Sequence, residues 1–117
     1  MVEGMIQICV RVNPETRKRA ETYIRTEGIS YQTFLHALIE QTTYNPKVHF
    51  RPTDIINRAL TTARGANKRT EQISTTLAYE AILDVGDLIK PYTKDYPHLT
   101  ISSYINAMLE LYLGEGR

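Results

Sequence analysis

The chain has 117 residues, of which 42% are hydrophobic and 23% charged, and its formal net charge is +1 at pH 7. A chain of this size has room for one domain, and its composition excludes disorder, while the absence of any apolar run near ~20 residues excludes a membrane span. A single cysteine excludes an internal disulfide framework and the N-terminus lacks a signal-peptide pattern, so we expect a cytoplasmic protein without membrane contact.

The first periodic stretch, Met5–Val12, alternates with a period of two, which predicts a strand with one apolar face. Asn13 and Pro14 then predict a helix start, because Asn caps free N–H groups and Pro suits the first helical position. This helix should run to about Glu27 and end at Gly28 in the left-handed conformation. Its predicted inward residues are Ala20, Tyr23 and Ile24.

A second helix is predicted after Ser30, which is the next N-cap. Its apolar residues follow the i, i+3, i+4, i+7 spacing of an amphipathic helix and are Tyr31, Phe34, Leu35, Leu38 and Ile39. Residues 43–70 contain turn signals at two prolines and are predicted to form a connector. The connector includes one short helix, from about Thr53 to Arg64, that should end at Gly65.

The segment after the connector repeats the pattern of the first strand and helix. Gln72–Leu77 aligns with Gln7–Val12 at an offset of 65 residues. At the same offset the apolar positions of the following helix continue, at Val85, Leu88 and Ile89. Pro91 is predicted to end this helix, because the residue before a proline avoids the helical region.

The second helix of the first segment is also repeated, now at an offset of 70 residues. Thr100 aligns with Ser30 as an N-cap, and a five-residue insertion explains the change of offset. The aligned apolar positions are Ile101, Tyr104, Ile105, Met108 and Leu109. Chance similarity of two amphipathic segments is the alternative, but strand, cap and both helix faces agree in order. We therefore predict an internal duplication, with repeats at residues 1–42 and 71–117.

A lone strand–helix–helix unit cannot pair its backbone or bury its apolar stripe, so we expect the two strands to pair antiparallel over four helices in one shared core. The predicted fold class is mainly α with a two-stranded antiparallel β-ribbon, a pseudo-dimer within one chain. The inner face would carry Ile6, Ile8, Val10, Val12, Ile73, Thr75 and Leu77. The outer face would carry Gln7, Cys9, Arg11, Gln72, Ser74 and Thr76. A ribbon with such an outer face fits the major groove of DNA.

This pattern resembles the ribbon-helix-helix DNA-binding family, which includes the Arc and MetJ repressors. In that family the strand presents alternate polar residues to the bases, and Gln7–Arg11 fits better than Gln72–Thr76, where Thr76 replaces a basic residue. The family also has a Gly-x-Ser/Thr junction before its second helix, and the N-terminus of that helix binds a phosphate. Gly28–Tyr31 matches this junction. At His98–Ile101 the hydroxyl is kept and the glycine is missing. The tandem layout is similar to that of accessory DNA-binding proteins of plasmid conjugation and of agrobacterial T-DNA border processing.

Arg11 is the first candidate for base recognition, because Arg makes bidentate contacts with guanine worth about 1–3 kcal/mol of discrimination. The other base-reading candidates are Gln7, Cys9, Gln72, Ser74 and Thr76. Candidates for phosphate binding lie at the two helix N-termini, where free N–H groups and the helix dipole attract anions, and are Ser30, Tyr31, Thr100 and Ile101. An Arg that only solubilises the sheet, and plain helix capping, are the alternatives.

Positive charge is concentrated in the connector. The net charge is 0 for residues 1–42, +5 for residues 43–70 and −4 for residues 71–117. Lys68 and Arg69 are therefore predicted to lie at the ribbon edge and to contact backbone phosphates, with a polar connector that binds nothing as the alternative. The run Arg17–Arg19 begins a helix, where positive charge opposes the dipole, and is either a solvated face or a further anion contact.

No residue pattern supports catalysis. His36, His49 and His98 are far apart, and neither zinc-ligand spacing nor a nucleophile or phosphate-loop motif is present, so we expect no metal, no cofactor and no enzyme activity. We predict a monomeric pseudo-dimer that binds duplex DNA at an asymmetric site and assembles further on it. Its role would be plasmid or T-DNA processing, alongside other DNA-processing proteins, or transcriptional repression. The alternative is an antitoxin-like or scaffold module that has lost DNA recognition.

Overall fold

The structure, a computed structural model, describes residues 4–44, 51–63 and 71–113. The elements in chain order are β1 (Met5–Val12), α1 (Pro14–Glu27), α2 (Tyr31–Tyr44), α3 (Pro52–Ala63), β2 (Glu71–Ala78), α4 (Tyr79–Thr93) and α5 (Ile101–Tyr112). The protein is thus mainly helical with a two-stranded antiparallel sheet, as the sequence predicts. The predicted helix stop at Gly65 and the predicted phosphate contacts Lys68 and Arg69 lie outside the described residues.

The register of the sheet is compatible with the predicted repeat. Cys9 pairs with Ser74, which is also its aligned residue at the offset of 65. On either side, Arg11 pairs with Gln72 and Gln7 pairs with Thr76. The cross-strand partner of Arg11 is thus the residue aligned with Gln7, and the partner of Gln7 is the residue aligned with Arg11. The strand register and the sequence alignment therefore share one centre, at Cys9 and Ser74.

The helix ends follow from local sequence signals. The Asn13 side chain accepts a hydrogen bond from the N–H of Thr16 at 2.7 Å, and Gly28 ends α1 with φ of 69°. At the start of α5 the Thr100 side chain accepts from the N–H of Ser103 at 3.1 Å, while the Ser103 hydroxyl accepts from the N–H of Thr100 at 2.8 Å. This reciprocal capping box satisfies two N–H groups without the glycine that precedes α2.

The prediction that Pro91 ends a helix is wrong, because α4 continues to Thr93. A proline removes one backbone hydrogen bond and disfavours the helical region for the residue before it, but both effects are biases that tertiary packing can override. Pro91 lies in the last turn of α4, where few backbone hydrogen bonds of the helix remain to be formed. The N–H of Tyr96 still bonds to the carbonyl of Tyr92 at 3.0 Å, which carries the chain into the turn before α5.

Two residues predicted to face the core are exposed instead. Tyr23 is 42% exposed and lies against Phe34 of α2, with ring centroids 4.8 Å apart. Ile6 is 39% exposed, and its neighbour on the same face, Ile8, is only half-buried. Ile6 aligns with Glu71 at the other end of the ribbon, which shows that this position lies at the rim.

The core lies between the inner face of the ribbon and the helices. The ribbon contributes four fully or nearly fully buried side chains, Val10, Val12, Ile73 and Leu77. α5 packs on β1, and α2 packs on β2. α3 is more than a connector helix, because it buries Ile55, Ile56 and Ala59 and packs against α5. As a result, eight consecutive residues of α5, 103–110, are buried.

Candidate nucleic-acid interface

All six predicted base-contacting residues lie on the ribbon face that points away from the core. They form three cross-strand pairs, Gln7–Thr76, Cys9–Ser74 and Arg11–Gln72. Five of the side chains are exposed and Thr76 is half-buried. Because side chains alternate along a strand, the burial of Val10 and Val12 on β1 forces Cys9 and Arg11 to the opposite face.

Arg11 has an anchored backbone and an unengaged side chain. Its N–H donates to Oγ of Ser102 in α5 at 3.3 Å. Within the described part of the chain its exposed guanidinium makes no hydrogen bond or ion pair. The five N–H donors of this guanidinium are therefore available to a planar acceptor pair such as the O6 and N7 atoms of guanine.

The centre of the outer face carries two small side chains. The hydroxyl of Ser74 donates to Sγ of Cys9 at 3.6 Å, and both residues are exposed. Neither side chain projects far from the backbone, so the middle of the ribbon is flat between the longer Gln7, Arg11 and Gln72. A flat centre lets a ribbon approach the floor of a groove closely.

The first turns of α2 and α5 contact the two edges of the ribbon. Oγ1 of Thr76 donates to Oε1 of Gln32 at 3.4 Å, and the N–H of Arg11 donates to Ser102 at 3.3 Å. Arg11 aligns with Thr76, and Gln32 aligns with Ser102 at the offset of 70, so the two contacts are counterparts. Gln32 and Ser102 are not among the residues predicted from the sequence, although their alignment with each other is a signal for both.

The predicted phosphate-binding residues occupy the N-termini of these two helices. Oγ of Ser30 accepts from the N–H of Thr33 at 3.2 Å, and Thr100 caps α5 in the same manner. Tyr31 and Ile101 are the first residues of their helices, where backbone N–H groups have no acceptor within the helix. Burial raises the pKa of Tyr31, with the charge of Glu21 adding to the effect. The Tyr31 phenol is therefore neutral over a wider pH range than that of a free tyrosine.

The basic run at the start of α1 is mostly neutralised by carboxylates. Arg17 forms ion pairs with Glu71 at 2.6 Å and with Glu21 at 3.3 Å, and the hydrogen bond to Glu71 raises its pKa. Arg19 pairs with Glu15 at 3.1 Å. These pairs favour a solvated face over a further anion contact for this run.

Neither metal ligation nor membrane insertion is suggested by the described residues. Among them, no group of three or more His, Cys, Asp and Glu residues is placed to hold a metal ion. No helix in the same ranges is long and apolar enough to cross a membrane. Comparison with protein-family models, curated proteins and solved structures finds no match to this chain.

Proposed function

We propose that this protein binds duplex DNA sequence-specifically, as a ribbon-helix-helix pseudo-dimer in one chain whose ribbon enters the major groove. The observation that carries the proposal is the outer face of the ribbon, where Arg11 has no side-chain partner among the described residues and stands among small and amide side chains. An opposite charge directly across the strands would stabilise the sheet and engage the guanidinium. Here the neighbours of Arg11 on that face leave its guanidinium available.

The dimensions of the ribbon support this mode of binding. Two paired strands are roughly 5 Å apart, and the major groove, about 12 Å wide, admits a two-stranded ribbon. The helix N-termini at Ser30 and Thr100 flank the ribbon and would bind phosphates on either side. In this arrangement Arg11 would recognise guanine, while Gln7 and Gln72 would recognise adenine.

The two halves of the ribbon differ, so the preferred site should not be palindromic. Arg11 stands where the other strand has Thr76, and Thr76 is partly engaged by Gln32. The near-neutral net charge of +1 implies modest non-specific affinity. A role in plasmid or T-DNA processing, or in repression, is compatible with such a protein.

The test begins with selection of duplexes from a random pool, since the target sequence is unknown. Binding of the selected duplex is then measured by fluorescence anisotropy at several salt concentrations. We expect affinity to fall linearly with log salt, with a slope set by the number of phosphates contacted. If no duplex is enriched and no duplex binds with salt-dependent affinity, the proposal fails and the protein-interaction module is favoured.

Arg11→Ala tests the assignment of the base-reading residue. We expect it to weaken binding to the selected duplex by about 10- to 100-fold and to relax preference at one base pair. Arg51→Ala is the matched control, because Arg51 is also exposed and directly precedes α3 instead of lying on the ribbon. Equal effects of the two substitutions would mean that Arg11 contributes only its positive charge to DNA binding and does not recognise a base.

A further inference from the structure

A groove of about 460 Å³ lies between α2 and the first turns of α4. We call it the acidic groove; its lining includes His36, Ile39, Glu40, Glu80, Ala81 and Asp84. Glu40 and Glu80 are exposed, and neither has an ion-pair partner in the described ranges. The N–H of Ala78 donates to Nε2 of His36 at 2.9 Å, which fixes the imidazole at one end of the groove.

In the alignment, α2 corresponds to α5 and α4 corresponds to α1. The aligned place, meaning the position in the other half that corresponds to the acidic groove, is therefore formed by α5 and the start of α1. His36 and Glu40 align with Asn106 and Glu110 at the offset of 70, and Ala78 aligns with Asn13 at the offset of 65. These counterparts converge on one carboxylate. Oε2 of Glu110 accepts from Nδ2 of Asn13 at 3.3 Å and from Nδ2 of Asn106 at 3.5 Å.

This aligned place is occupied, and its occupant is a helix. Nε of Arg58 in α3 donates to Oε1 of Glu110 at 3.0 Å, and only 4% of the Glu110 side chain is exposed. Beside Arg58, α3 inserts the apolar side chains Ile55, Ile56 and Ala59 into the core. The protein itself therefore shows what such a groove accepts: an amphipathic helix with an arginine beside a short apolar stripe.

The acidic groove has the charge for a basic occupant. On α1 an ion pair joins Glu15 and Arg19 at 3.1 Å, whereas the aligned residues on α4 are Glu80 and Asp84, both acidic. Glu40 and Glu80, which have no ion-pair partner in the described ranges, line this groove together. A cation presented by a partner would pair with these two carboxylates.

Exposed apolar side chains lie next to these carboxylates on α4. Tyr79 is 47% exposed and Leu83 is 44% exposed, and the i, i+4 spacing places them side by side. They immediately precede Glu80 and Asp84 in sequence, so the two pairs form stripes about 100° apart around the helix axis, and the apolar stripe lies outside the groove lining. Large exposed apolar side chains beside a polar rim are typical of protein-binding surfaces rather than of ion sites.

We propose that the acidic groove binds an amphipathic helix of a partner protein that presents an Arg or Lys beside a short apolar stripe. The partner helix would occupy the position that α3 occupies in the other half, with its cation on Glu40 and Glu80. This binding does not depend on DNA recognition, because the groove and the outer face of the ribbon share no residue.

The direct probe is a capped synthetic peptide with the sequence of residues 51–63, which contains α3. Added to the full-length protein, it should bind the acidic groove, because the aligned place is already filled by α3. We expect NMR shift changes at His36, Ile39 and Ala81. A peptide of this length is marginally helical in water, so the affinity will be weak but saturable.

Charge variants decide whether the acidic groove is the binding site. Glu40→Lys and Glu80→Lys should each weaken binding of the peptide by about tenfold, and so should replacing Arg58 by Ala within the peptide. Glu27→Lys, an equal charge change at an exposed acid at the end of α1, should leave the affinity unchanged. Circular dichroism checks that each variant keeps its helices.

Several outcomes would overturn the proposal. These are the absence of saturable binding, equal affinity for the Glu40→Lys and Glu27→Lys variants, or shift changes centred on Asn106 and Leu109, which would mean that the peptide displaces α3. A protein that is dimeric in sedimentation, and becomes monomeric with Glu40→Lys, would show that a second copy rather than another protein occupies the groove.

Discussion

The helices α2 and α5 have the same apolar spacing but lie in different environments. Residues 103–110 of α5 are all buried, because the core covers one side and α3 covers the other. The aligned stretch of α2, residues 33–40, leaves Thr33 and Glu40 exposed, and Glu40 lines the acidic groove. Apolar spacing thus determines which face of a helix packs on the core. Whether the remaining faces are buried depends on a second element that covers them.

The largest difference between the halves should appear on truncating an apolar residue that α3 helps to enclose. Leu109→Ala should cost about 4 kcal/mol, because the residue is fully buried and the cavity cannot collapse. The aligned Ile39→Ala should cost about 2 kcal/mol, since Ile39 lines the open groove and the site can relax. Urea denaturation gives both free energies of unfolding. Equal costs would mean that α3 adds no constraint to α5.

The two aligned glutamates should respond differently to loss of charge. Glu110→Gln should cost about 2 kcal/mol, because the buried carboxylate accepts a charge-assisted hydrogen bond from Arg58. Glu40→Gln should change the free energy of unfolding by less than about 0.5 kcal/mol, since this side chain is exposed. The same denaturation measurement applies. A large effect of Glu40→Gln would reveal a structural partner for it.

Tyr104 stands where the first half has Phe34, and its hydroxyl is buried with no partner among the described residues. Tyr104→Phe should therefore raise stability by about 1 kcal/mol at neutral pH. Burial, with a smaller effect of Tyr112, raises the pKa of Tyr104. Above pH about 10 an unfolded Tyr ionises while the folded one stays neutral, so the wild-type protein loses stability there and the variant loses less. Thermal melts at pH 7 and above pH 10 measure both effects.

The smallest effects concern glycines in α4 and at the end of α1. Gly28→Ala should cost about 1 kcal/mol, because φ of 69° strains any side chain even though space is open. Gly86→Ala, in the interior of α4 with no atom within 4 Å of the added Cβ, should raise stability by about 0.5–1 kcal/mol. Opposite signs in thermal melts are the expected result. A gain from Gly28→Ala would contradict the helix-end argument.

Features set by neighbouring residues could be predicted from the sequence. The alternation in β1 determined which side chains leave the core, and Asn13, Gly28 and Thr100 determined helix ends through their own hydrogen bonds or φ values. The outer face of the ribbon follows from the same alternation. Its contact with DNA stays a prediction, because no property of the isolated chain measures binding.

Features set by distant residues could not be predicted. The residues near Pro91 give no signal that α4 stays helical through the proline. The residues near Ile6 likewise give no signal that this side chain is left exposed at the end of the ribbon. The packing of α3 on α5, and with it the burial of Glu110, depends on two segments about 50 residues apart. These contacts form only when the chain folds back on itself.

The strand pairing in the ribbon is non-local, since Cys9 and Ser74 are 65 positions apart in the chain. Closing so long a segment costs conformational entropy that no tight hairpin turn reduces, so the intervening helices must pack before the strands pair. We expect the ribbon to form late in folding and to open early when the core is weakened. A misfolded or truncated chain would then keep much of its helix content and lose the ribbon, which confines any activity of the outer face to molecules that have folded completely.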